Sequence, residues 1–166
     1  LNGGDSITTH LREDRRHIKD KDVEIIKKEL NTKLNLEMAM TKEMQEIALR
    51  VLPEAVCLVP EKRQELTTEG GLDIAGQLEY GKEFVKPLLE KGIEVSLFID
   101  PDINQVKASY ETGAQFIELH TGSYANAFGT SEEEKEFQRL KNASEYAQKL
   151  GLKVNAGHGL NYQNVG

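Results

Sequence analysis

Six short apolar runs recur along this chain, each separated from the next by a stretch with helical spacing, and no hairpin signal lies between them. That order constrains the fold more than any single motif. Strands that always have a helix between them must pair in parallel. The runs predict strands over 6–11, 33–38, 55–59, 94–99, 115–120 and 153–156. Helical patterns occupy about 20–30, 42–51, 72–91, 102–112 and 132–150. Ser131 and Glu134 make a capping-box pattern ahead of the last helix, and Lys149-Leu150-Gly151 supplies a basic final turn and a glycine stop. Thr41 and Asp20 are candidate caps for earlier helices, while Pro53, Pro60 and Pro101 sit at element boundaries.

An open doubly wound sheet and a closed barrel both satisfy this order, and side-chain parity separates them. In the first strand Ile7, Thr9 and Leu11 share one face, and Ser6, Thr8, His10 and Arg12 share the other. Leu34, Leu36 and Met38 oppose Asn35 and Glu37; Ile117 and Leu119 oppose Glu118 and His120. One face is thus apolar and suited to pack under helices, and the other carries polar groups toward the strand ends. Sheets covered on both faces are apolar on both. The asymmetry favours a barrel whose interior leads up to a site.

The totals exclude several classes of function. With 38% hydrophobic and 30% charged residues, the chain suits one water-exposed domain over 1–166. Its longest apolar stretches, such as Ala55-Val56-Cys57-Leu58-Val59, fall far short of the roughly 20 residues of a membrane helix. A net charge of −7 argues against nucleic acid as a partner, although a few local Arg or N–H groups can still bind a small phosphorylated substrate. Cys57 is the single cysteine, read as a small core residue, and a cytoplasmic location is the expectation.

All four histidines lie at strand ends or just after them: His10, His17, His120 and His158. Glu37, Glu61, Asp100 and Glu118 occupy matching places. Barrel strand ends converge on one rim, so these residues would meet around one pocket. Any one of them alone has a structural reading, yet a carboxylate inside an apolar run is costly to bury without a partner. Histidine titrates near neutrality and a Glu in a partly apolar mouth can be pushed toward that range, so the set suits successive proton transfers. The segment His10-Leu-Arg12-Glu-Asp-Arg15-Arg16-His17 is either a phosphate-binding loop or a solvated charged loop. The turns Thr67-Thr68-Glu69-Gly70-Gly71 and Gly157-His158-Gly159 add backbone N–H groups of the kind that cradle phosphate.

These strings, in order along the whole chain, resemble one family. Thr9-His10-Leu-Arg-Glu-Asp-Arg-Arg-His17-Ile18, Asn35-Leu-Glu37-Met-Ala39, Val59-Pro-Glu-Lys-Arg63, Glu65-Leu-Thr67-Thr-Glu-Gly-Gly-Leu-Asp73, Phe98-Ile-Asp100, Ile117-Glu118-Leu-His-Thr-Gly122 and Val154-Asn-Ala-Gly-His158-Gly-Leu-Asn161-Tyr162 look like the motif set of pyridoxine 5′-phosphate synthases. The resemblance implies a TIM (β/α)8 barrel, of the α/β class, that condenses 1-deoxy-D-xylulose 5-phosphate with 3-amino-2-oxopropyl phosphate. The products would be pyridoxine 5′-phosphate, phosphate and water, formed with no metal or organic cofactor. It implies His10 as a general base, Glu37 as a second acid/base group, His158 as the proton donor and Glu118 as a stabiliser of transition-state charge. Arg12, His17 and Thr67 would hold the deoxyxylulose phosphate, and the Gly159 N–H would meet the amino-ketone phosphate. His120 and Asp100 are left as structural strand-end residues. The family assembles as octamers, so a homo-oligomer is implied.

Two further expectations follow from the sequence. About six of the eight βα units are present, and the start at Leu1 and stop at Val165-Gly166 read as truncation at both ends. The first and last strands are expected to be missing, and the piece alone to be inactive or unstable, because unpaired strand edges invite aggregation. Two rival functions remain on the same residues. One is a metal-dependent sugar-phosphate epimerase or aldolase with His10, Glu37, Glu118 and His158 as ligands, and the other is a non-catalytic subunit.

Overall fold

The computed structural model describes residues 4–62, 65, 67 and 70–165. Of the positions named above, Leu1, Arg63, Leu66, Thr68, Glu69 and Gly166 lie outside the described residues. The elements run β1 (Ser6–His10), α1 (Asp20–Glu29), β2 (Lys33–Met38), α2 (Lys42–Val51), β3 (Ala55–Leu58), α3 (Leu78–Glu90), β4 (Glu94–Ile99), α4 (Ile103–Glu111), β5 (Phe116–His120), α5 (Gly122–Ala127), α6 (Glu133–Lys149) and β6 (Lys153–Gly157). The strands form one sheet in the order β1-β2-β3-β4-β5-β6, and every pair is parallel. With helices between the strands, the sheet curls as a TIM-barrel-like α/β fold.

Parity works as the sequence pattern implies. Leu34, Leu36, Met38, Val56, Leu58, Val95, Leu97, Ile99, Ile117 and Leu119 are all at most 2% exposed. They pack under Val23, Met44, Ile47, Phe84, Leu88, Val106 and Ala147 from the surrounding helices in one continuous core. Each such side chain contributes roughly 1.5–3 kcal/mol of transfer free energy, so a one-residue slip in any inner strand would expose several at once. Ile7 departs from the pattern. It shares the face of Thr9 and Leu11, yet it is 44% exposed on β1, an edge strand among the described residues. The opposite face is also less uniformly polar than its sequence suggests, because Cys57, Val59 and Phe98 form a small buried cluster there.

The helix boundaries show where local patterns were overruled. Residues 72–74 keep helical spacing but are not helical; a 3₁₀ turn spans Ala75–Gln77 and α3 starts only at Leu78. The Leu72 N–H donates to the Phe98 carbonyl at 2.8 Å, and the N–H groups of Ile74 and Ala75 donate to Gln105 Oε1 at 2.9 and 3.1 Å. Those bonds draw the segment onto β4 and α4 before it can coil. The Ser131–Glu134 capping box does not form: Glu132 is the N-cap of α6 and makes no side-chain cap bond. Instead the Thr130 hydroxyl accepts from the Glu132 N–H at 3.3 Å, and Glu133 accepts from the Gly129 N–H at 2.7 Å. Asp20 is likewise no cap, because Lys19 holds that position and the Asp20 carboxylate pairs with Arg15 at 2.8 Å. Thr41 does cap α2, accepting from the Met44 N–H at 3.4 Å. Gly151 takes a φ of 89° just past α6, the left-handed stop expected of it.

Candidate functional site

Parallel pairing carries the strand-end residues to one end of the sheet. His10 on β1 pairs with Glu37 on β2, which pairs with Cys57 on β3; Phe98 on β4 pairs with Glu118 on β5, and His120 pairs with Gly157 on β6. Period-2 alternation then points all of these inward together. The result is a cleft of ≈ 180 Å³ lined by His10, Glu37, Val59, Pro60, Gly70, Phe98, His120 and His158.

Two imidazole–carboxylate pairs stand at it. His10 Nδ1 lies 3.8 Å from Glu37 Oε2, and His158 Nδ1 lies 3.7 Å from Glu118 Oε1. The Phe98 ring centroid lies 4.3 Å from that of His158 and 5.0 Å from that of His120. The two histidine rings meet edge to face at 5.4 Å. His120, set aside as a structural residue on sequence grounds, therefore belongs to the cleft wall. The signal that finds it is the one that found the others, namely an inward-facing polar residue at a strand's last position.

Burial pushes the Glu118 carboxyl up from its ordinary range, the negative charge of Glu37 adds to this, and His158 opposes it more weakly. The same burial, helped by the charges of Glu118 and Glu37, drives the Cys57 thiol well up. Cys57 is thus held as a thiol, 1% exposed, with its sulfur 3.9 Å from Glu118 Oε2. It is packing and not a nucleophile, since the thiolate is the reactive form.

His158 stands on a tight loop after β6 with a φ of 76°. The Thr121 hydroxyl braces that loop from the start of α5, 2.6 Å from both the Gly157 and His158 carbonyls. This short helix had no sequence signal, because its small, polar residues show no apolar periodicity. A Cβ on Gly159, whose φ is 84°, would stand 2.7 Å from the Ala125 Cβ, so a glycine lets this loop lie against α5.

The phosphate candidates are less gathered than the acid/base set. Arg12 sits on the β1–α1 loop and pairs with Asp14 at 3.1 Å, and exposed His17 follows on the same loop; neither lines the cleft. Arg15, which carries the same charge, is bound to Asp20, to Glu43 and to the Glu13 carbonyl, and so anchors the loop. The Thr67 hydroxyl contacts the carboxylate of Asp100 and, at 3.2 Å, the Gly71 carbonyl. Asp100 is 4% exposed and also accepts from the Gly71 N–H at 3.0 Å, which ties the loop after β3 to the end of β4. Among the described residues no group of three His, Cys, Asp or Glu side chains is arranged to hold a metal ion, and no helix is long and apolar enough to cross a membrane.

Over residues 1–166 the chain matches the family described as pyridoxal phosphate biosynthesis protein PdxJ. It is 61% identical to the pyridoxine 5′-phosphate synthase of a Sulfurihydrogenibium species, over 98% of this chain and 68% of that protein. It is 59% identical to the protein of the same name from Synechocystis, over 99% of this chain and 68% of that one. Neisseria meningitidis serogroup C has another, also 59% identical, over 98% of this chain and 67% of it. The chain thus spans about two thirds of the length of these relatives. Among solved structures, a chain of the Amycolatopsis orientalis BexX/CysO complex superposes with a TM-score of 0.50 at 18% identity. The overlap covers 95% of this chain and 70% of that one, and it speaks for the fold alone.

Proposed function

The chain belongs to the PdxJ family of pyridoxal phosphate biosynthesis proteins, and from that premise we propose how its cleft makes pyridoxine 5′-phosphate. The reactants are 1-deoxy-D-xylulose 5-phosphate and 3-amino-2-oxopropyl phosphate, and phosphate and water leave. Joining an amine to a ketone, expelling water and phosphate and aromatising a ring needs protons taken and returned at several atoms in turn. His10 is the general base and Glu37 a second acid/base group beside it. His158 donates protons from the loop after β6, and Glu118 stabilises the charge that develops in the transition state. The reaction so written uses no metal or organic cofactor.

The observation that carries this reading is the pair of His–Glu couples, 3.8 and 3.7 Å across, gathered at the strand ends around one cleft. Two acid/base centres at one cleft can serve successive steps on one bound intermediate without its release. Holding both reactants between them also removes much of the entropic barrier to their union. Arg12, His17 and Thr67 are the proposed holders of the sugar phosphate, with Arg12 and His17 swinging inward from their loop; the Gly159 N–H takes the phosphate of the amino ketone. The homo-oligomeric assembly belongs to the same proposal, with sedimentation of the full chain as its check.

Incubating the full chain, meaning this sequence within a protein of its relatives' full length, with both phosphorylated substrates is expected to yield pyridoxine 5′-phosphate and inorganic phosphate, and omission of either substrate to abolish both. No product from folded protein would sink the reading. A subtler variant probes Glu118. A Cβ on Gly157 would stand 2.4 Å from Glu118 Oε1, so G157A must push that carboxylate aside. Since only a flexible side-chain end has to give, the fold should survive, while kcat falls by roughly 10²-fold from the displaced group. Unaltered kcat in G157A would show that the position of Glu118 does not matter.

A further inference from the structure

We infer that Glu61, on the loop after β3, is a positioning residue that sets the ring orientation and the tautomer of His10. The inference rests on His10 being the base. Glu61 Oε1 lies 2.9 Å from His10 Nε2, and Glu61 Oε2 accepts from the Glu13 N–H at 2.9 Å. The Glu61 side chain is 5% exposed against 30% for that of His10. A carboxylate so far from water is costly to bury unless both oxygens are bound, and here both are bound by the β1 strand end and its loop.

The contact passes over a strand. Glu61 follows β3, His10 ends β1, and β2 lies between them in the sheet. The loop that carries Glu61 is fixed in turn: Glu65 accepts from the N–H groups of Glu61 and Lys62 at 2.8 and 3.1 Å, and Lys62 Nζ reaches Glu13 Oε1 at 3.0 Å. The carboxylate therefore has a built position, and its neighbour His10 must conform to it.

The chemical consequence lies in which ring nitrogen is free. An ionised carboxylate only accepts, so the neutral imidazole carries its proton on Nε2. Nδ1 is left as the basic nitrogen, and it is the atom beside Glu37, 3.8 Å from Oε2. Without Glu61 nothing selects that tautomer, and the ring is free to turn its N–H toward Glu37 and lose the lone pair needed for proton abstraction. This is the orienting role that a third group plays for a base in other acid/base sites.

The test uses the full chain carrying E61A or E61Q, with the parent and H10N as references. Two-bond ¹H–¹⁵N correlation of the His10 ring, at a pH where the ring is neutral, reports which nitrogen holds the proton. The parent is expected to show the Nε2–H form. E61A is expected to lose that pattern and to lower kcat by roughly 10²-fold, with little change in KM for the deoxyxylulose phosphate. E61Q keeps one acceptor oxygen for two donors; with that oxygen on the Glu13 N–H, its NH2 faces Nε2, so the ring should switch to the Nδ1–H form and kcat should stay low. An Nδ1–H ring in the parent, or E61A with unchanged ring signals and kcat, overturns the inference. If E61A does not fold, E61Q decides: a switch to Nδ1–H supports the inference, and unchanged ring signals with unchanged kcat overturn it. Full activity in H10N would instead remove the base reading on which the inference rests, so the two failures are told apart.

Discussion

His10→Asn in the full chain is expected to lower kcat by about 10²–10⁴-fold, the usual contribution of a positioned general base, while binding of the deoxyxylulose phosphate changes little. Asparagine retains hydrogen-bonding capacity and nearly the reach of the imidazole, but it cannot accept a proton at neutral pH. The surroundings argue that the loss will be chemical. His10 is held by Glu61 at 2.9 Å on one side and faces Glu37 at 3.8 Å on the other, with 30% of its side chain open to the cleft. It lies outside the apolar core, and the asparagine amide can still donate to Glu61. Single-turnover product formation and calorimetric titration of the sugar phosphate separate the two effects. Equal losses in binding and turnover would make His10 a substrate contact and not a base.

Glu118→Gln combines two opposite effects, and their combination is the prediction. Turnover should fall by roughly 10²–10³-fold if the carboxylate stabilises transition-state charge. Stability should move the other way with pH. In the folded chain burial and the charge of Glu37 raise the Glu118 pKa above its ordinary value. The folded state then holds the proton more tightly than the unfolded one. The stability this gives is present in full below the unfolded pKa, and it is lost as pH rises through the raised, folded one. Above that window the parent keeps a buried charge that Gln does not. The Tm of E118Q relative to the parent is therefore expected to rise as pH climbs from the ordinary carboxylate range through the raised, folded pKa. A pH-independent difference in Tm would mean that the charge is not strained, and parental turnover would remove Glu118 from the chemistry.

The strand-end carboxylates and histidines were legible because their signal is local. Alternation along Leu34–Met38 and Ile117–His120 marks which residues turn inward, and parallel order puts the same end of each strand on the same rim. Phosphate recognition was less legible. Arg12, Arg15 and Arg16 are alike as letters, but Asp14, Asp20 and Glu43 each claim some of them, and those partners are set by the loop's path. Glu61 could be seen as one more acid after a strand, though not as the partner of His10, because the two are 51 residues apart and belong to strands that do not pair.

What the chain's letters determined alone is the class of fold, the inward face of the inner strands and the chemical types gathered at the strand ends. Those follow from period-2 alternation, helical spacing and the rule that helices between strands force parallel pairing, all of which act within a few residues. Only the tertiary structure decided which ends meet. The curl of the sheet carries Glu61 over β2 to His10, sets Phe98 beneath His158 and brings His120 into the cleft wall. Curvature accumulates from small twists between neighbouring strands and from the packing of the helices outside them. No local stretch of sequence encodes that sum, although every distance across the cleft depends on it.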